Sequence, residues 1–160
     1  MMTYAWALVA VLAVIAVVFY VGVLKATVVS TPSCDLAKGM ACVDFKLNRD
    51  TAYLNFKLGN DLARRINVTS LKCTQETYNP SSNWRAVGIT IAPGEEKWIA
   101  HIDGLDGSPA SACCYKNDGL SCYPNSASGQ PYSGKVWINY TELDTRVNRT
   151  IQGTVNGQFE

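Results

Sequence analysis

The chain has a single histidine, His101, so chemistry that needs two imidazoles is excluded. His101 lies in the alternating run from Lys97 to Ile102 and reads as a strand residue rather than a catalytic base. Basic residues form no run, and 14 Lys and Arg against 13 Asp and Glu leave a formal net charge of +1. Phosphate contacts need clustered cations, so nucleic acid is not an expected partner. There is no CxxC pair, no G-x-S-x-G elbow, no P-loop and no G-x-G-x-x-G turn. Ser133-Gly134-Lys135 lacks the first half of a Walker motif. Asp103-Gly104-Leu105-Asp106-Gly107-Ser108 lacks the alternating acidic ligands of a calcium loop. Glu95-Glu96 after Pro93-Gly94 reads as a solvated turn tip. No residue is therefore assigned to catalysis, cofactor binding or a metal, and the chain is not expected to be an enzyme.

Charge is also missing from the whole of Met1 to Leu24, where only Thr3 and Gly22 fall outside the apolar set. As a helix that segment would rise about 36 Å, enough to cross a bilayer core of about 30 Å. It is apolar on every side, whereas a surface helix has one apolar stripe. Only a membrane or a bundle of like helices can cover such a rod. Three readings follow: a cleaved secretory signal, a simple membrane anchor, or a helix held in a membrane until it is packed into a filament core. A signal would carry a basic n-region and a shorter apolar stretch. The absence of Lys or Arg before the run is read as the mark of a processed chain or a shifted start. Small residues recur at Ala7, Ala10, Ala13 and Ala16 and would let helix backbones approach. With Trp6, Val14, Phe19 and Tyr20 they are the candidate filament-core residues.

The remaining residues alternate in short runs. Cys42–Leu47 and Ala52–Leu58 flank Arg49-Asp50-Thr51 as a hairpin candidate. Ile66–Cys73, Ala86–Ile91, Lys97–Ile102, Lys135–Tyr140 and Arg146–Val155 follow, with Pro93-Gly94 as a turn. Seven short strands suggest an immunoglobulin-like β-sandwich or a small barrel. The sandwich is the expected fold class. The predicted organisation is a long hydrophobic helix over 1–25, a linker over 26–33, and a β head over 34–160. Within the head, Asp103 to Gly134 has five Gly, six Ser and three Pro and no strand or helix period. It reads as a long loop without strands, in which Tyr115, Tyr123 and Tyr132 would supply contact faces for recognition.

All six cysteines, Cys34, Cys42, Cys73, Cys113, Cys114 and Cys122, lie in the head. They read as disulfides, which implies an oxidising compartment. Fifteen connectivities exist. Proximity, and the need to tie the long loop down, favour Cys34–Cys42, Cys73 with Cys113 or Cys114, and the other of those two with Cys122. Three sequons occur, at Asn67, Asn139 and Asn148, all in or beside predicted strands.

Several short stretches resemble archaeal type IV pilin-like subunits, the group that includes adhesion pilins and archaellins. They are Met2-Thr3-Tyr4-Ala5-Trp6-Ala7-Leu8, Val43-Asp44-Phe45-Lys46-Leu47, Phe56-Lys57-Leu58-Gly59-Asn60, Ile66-Asn67-Val68-Thr69 and the run from Tyr132 to Thr141. The basic leader and the Gln/Glu-containing segment usual before the M-T-Y stretch are absent. The resemblance implies an extracellular helical homopolymer with helices bundled inside and β heads outside, inserted in a membrane before assembly. A role in adhesion would add a cell-surface or glycan receptor as partner. The competing reading is a single-pass, membrane-anchored β-sandwich ectodomain that acts as a binding module.

Overall fold

The computed structural model describes residues 3–20, 31–49, 51–76, 82–101, 112–118, 121–122 and 130–160. Among these residues a helix, α1 (Thr3–Tyr20), precedes nine strands. These are β1 (Ser33–Leu36), β2 (Met40–Leu47), β3 (Tyr53–Asn60), β4 (Ile66–Thr74), β5 (Arg85–Ile91), β6 (Glu96–Ala100), β7 (Ala112–Tyr115), β8 (Pro131–Glu142) and β9 (Val147–Gln158).

The strands form one connected sheet in the order β1-β9-β8-β4-β7-β3-β2, with β5 beside β4 and β6 beside β3. Local chemistry sets the turns. Between β2 and β3, the Asn48 side chain accepts from the Thr51 amide at 3.2 Å, and the Asn48 amide donates to Tyr53 O at 2.8 Å. That brings Leu47 opposite Leu54. Between β5 and β6, Gly94 takes a φ of 72°, a value that favours glycine, and its amide reaches Asn60 O at 2.8 Å. β5 runs along Ile66–Leu71 of β4, while β6 runs along Phe56–Gly59 of β3. Where these two stop, β7 takes over. It pairs antiparallel with Tyr53 and Leu54 of β3 and parallel with Cys73 and Thr74 of β4.

The opposite margin is also closed. The Cys34–Cys42 disulfide joins β1 to β2. Phe159 bridges Leu47, the Glu160 amide donates to Leu47 O at 2.9 Å, and the Arg49 amide donates to Glu160 O at 3.0 Å. The result is a nearly closed, barrel-like sheet. Alternation fills its interior: Leu54, Phe56 and Leu58 from β3, Ile66, Val68 and Leu71 from β4, and Val136, Ile138 and Tyr140 from β8 are buried.

Two fold expectations are corrected. The immunoglobulin-like sandwich of about seven strands gives way to nine strands in one sheet, because β7 hydrogen-bonds to both layers and makes them continuous. β7 also lies inside the stretch 103–134 that was expected to hold no strand, and β8 begins there at Pro131. The long N-terminal rod through residue 25 gives way to α1, 18 residues that rise about 27 Å. Among the described residues, no helix is long and apolar enough to cross a membrane. Residues 21–30, which include most of the expected linker, lie outside the described residues.

Candidate functional site

Two surfaces carry the residues singled out from the sequence. The first is α1. Its described side chains, Ala7 and Val9–Ala16, are all exposed. Val9 and Val14 are each 63% exposed, Val11 58%, Leu12 57% and Ile15 45%. Consecutive helical residues point about 100° apart, so eight in a row face every direction. Ala7, Ala10, Ala13, Val14 and Ala16 belong to this exposed stretch. The side chains of Trp6, Phe19 and Tyr20 lie outside the described residues.

The second surface is the outer face of β4, β8 and β9. Alternation sends Val68 and Tyr140 inward, and Asn67, Asn139, Thr141, Asn148 and Thr150 therefore face away from the core. The register places the three sequons side by side. Asn67 is opposite Thr141, and Thr141 is opposite Asn148. Ser70 is opposite Asn139, and Asn139 is opposite Thr150. A bulge between Val68 and Ser70 displaces Thr69, whose hydroxyl donates to Asn139 O at 3.0 Å. The Thr141 hydroxyl donates to Asn148 Oδ1 at 2.7 Å, and the Thr150 hydroxyl donates to Asn139 Oδ1 at 2.6 Å. Asn139 Nδ2 donates to Ser70 Oγ at 3.0 Å. A shallow depression of about 360 Å³ lies over this block, lined by Thr69, Asn139, Tyr140, Asn148, Arg149 and Thr150.

Beneath the block a buried carboxylate locks the β8–β9 hairpin. Glu142 Oε2 accepts from Thr145 Oγ1 at 2.8 Å and Arg64 Nη1 at 2.9 Å, and Oε1 accepts from Arg149 Nε at 2.6 Å. These three donors, the Thr145 hydroxyl first, hold the Glu142 carboxyl below its ordinary value. Burial pushes the Tyr140 hydroxyl up.

The cysteines form three disulfides: Cys34–Cys42, Cys73–Cys114 and Cys113–Cys122. Neighbours on a strand point to opposite faces. Cys114 is buried against Cys73, and half-buried Cys113 turns the other way to Cys122. Tyr132, expected as a contact face, is instead in the core. Its ring packs edge-on to Phe159 at 5.7 Å, and its hydroxyl sits 3.3 Å from Cys73 Sγ. Tyr123 and Asp103–Ser108 lie outside the described residues. His101 stacks at a tilt on Trp98, with centroids 4.9 Å apart.

One buried charge gave no signal in the sequence. The Lys72 side chain is fully buried, with Nζ 2.9 Å from Glu76 Oε2 and 3.0 Å from Ser82 O. Lysine is seldom fully buried unless paired, and here the partner sits four residues on, past the end of the strand. A depression of about 350 Å³ beside it is lined by Tyr53, Trp84, Arg85 and Tyr115 among others. Among the described residues, no group of three or more His, Cys, Asp or Glu is placed to hold a metal. Comparison with protein-family models, curated proteins and solved structures returns no match.

Proposed function

We propose that this chain is a structural subunit of an extracellular filament of the archaeal type IV pilus kind, with copies of α1 covering one another inside and β heads outside, serving adhesion or surface attachment. The observation that carries the proposal is the exposure of every described α1 side chain in a helix without a single charge. Each such side chain gains about 1–3 kcal/mol when covered. A helix apolar on all faces needs cover on all faces, and a ring of identical helices supplies it. Three disulfides are compatible with the oxidising surroundings such a filament meets. The short stretches that resemble pilin-like subunits, in the helix and in the head, support the same reading.

Val14→Asp tests it. A carboxylate in a dry helix bundle costs several kcal/mol without a partner. The variant is expected to yield no filaments by negative-stain electron microscopy. Filaments of normal yield from Val14→Asp would refute the bundle.

A further inference from the structure

We infer that the three sequons form a single modification block that folding shuts against N-linked oligosaccharide, closing Asn67 and Asn139 and slowing Asn148, so that the transferring enzyme fills the block upstream of sheet closure and disulfide formation. The inference stands whether or not the chain assembles into a filament.

An N-glycan is attached at the asparagine amide of Asn-x-Ser/Thr, and the hydroxyl two residues on is the other half of the signal. In this fold each of those hydroxyls is spent on a neighbouring sequon. Thr69 donates to Asn139 O, Thr141 to Asn148 Oδ1, and Thr150 to Asn139 Oδ1. The three tripeptides lie on adjacent antiparallel strands, with 139–141 set against 148–150 residue for residue. Their backbones are committed to ladders as well. Asn67 lies between β5 and β8, and Asn139 between β4 and β9. An enzyme that must hold the whole tripeptide in its own site cannot draw either one out without breaking two ladders.

Asn148 differs by degree. β1 covers only Gly153–Asn156 of β9, so among the described residues the end of β9 that carries Asn148 has β8 as its sole ladder partner. Asn148 is exposed, while Asn67 and Asn139 are half-buried. Fraying of the β8–β9 hairpin frees Asn148 alone, and the Glu142–Arg149 pair opposes that fraying. The block therefore has an order: Asn148 is slow in the folded head, and Asn67 and Asn139 are closed.

The test offers lipid-linked oligosaccharide and a purified oligosaccharyltransferase to the unmodified full chain in detergent. One sample is folded with its disulfides formed; the other is reduced, alkylated and unfolded. Occupancy at each site is read by glycopeptide mass spectrometry. All three sites are expected to fill in the unfolded chain. In the folded chain, Asn67 and Asn139 should stay empty, and Asn148 should fill at least tenfold more slowly than when unfolded. Glu142→Gln should raise the folded-state rate at Asn148 severalfold and leave Asn67 empty. Equal filling of all three sites in folded and unfolded chains would overturn the inference. So would an unfolded chain that accepts no sugar at any of them.

Discussion

The helix and the head solve the same problem in opposite ways. In the head, Leu54, Phe56, Leu58, Ile66, Val68 and Val136 reach zero exposure through contacts made within one chain. In α1, residues just as apolar stay 45–63% exposed. The head closes on itself: β7 joins its layers, Cys34–Cys42 joins its margins, and Phe159 and Glu160 clip the tail to β2. No such device reaches the described part of α1. Stability and assembly should therefore be separable properties of this chain, and substitutions in one region should leave the other unmoved.

The largest effect on the head is expected at its centre. Phe56→Ala removes a fully buried ring and should cost about 3–5 kcal/mol, read as a lower denaturant midpoint. If the ring contributes less than about 1 kcal/mol, the closed core is not what holds the head. Next is the bond between the layers. Replacing Cys73 and Cys114 by Ser releases a constraint across 41 residues and should cost about 2–4 kcal/mol. An unchanged midpoint would show that the β7 ladders suffice without it.

A smaller, pH-dependent effect is expected at Glu142. Its carboxyl is held below the ordinary value of 4.5, so the folded state binds its proton less tightly than the unfolded state does. That stability is present above about pH 4.5 and is lost as pH falls through the lower, folded value. Glu142→Gln should flatten the acid limb of a stability–pH curve and leave the limb above pH 7 with its slope unchanged. An acid limb identical to the parent's would remove Glu142 from the account. The smallest effect should come from Val14→Asp, whose head should unfold at the parental midpoint. A shifted midpoint would mean that α1 leans on the head, and the two regions could not be treated apart.

The strands that could be read in the sequence were those whose alternation is local. Leu54, Phe56 and Leu58, or Val136, Ile138 and Tyr140, announce a face without reference to any partner, whereas Val43, which alternation puts with Phe45 and Leu47, sits in a bulge and is exposed. β1 and β7 were not legible for the opposite reason. Ser33-Cys34-Asp35-Leu36 and Ala112-Cys113-Cys114-Tyr115 are four residues each, too short a run to announce a strand, and the second does not alternate in polarity. They are strands because β9 binds one, and β3 and β4 bind the other. The adjacent cysteines were the usable clue, since neighbours on a strand face opposite ways and two bonds in two directions suit Cys113 and Cys114. Missing β7 led directly to the wrong fold class, because that strand alone turns two layers into one sheet. The sequons were visible one by one, but their register was not, since it depends on long-range pairings of residue 67 with 141, 141 with 148 and 139 with 150. Tyr132 was misjudged because Gly and Ser around it suggest a surface loop. Gly134 is in fact the space its ring occupies, where any Cβ would collide with the Tyr132 hydroxyl.

In the proposed filament α1 is covered by other copies of itself. Withdrawing detergent from the purified full chain while following it by electron microscopy tests that claim most directly. Filaments of uniform diameter, with the helices on the axis and the heads outside, are the predicted result. Single-chain particles that stay monodisperse after detergent removal would contradict it.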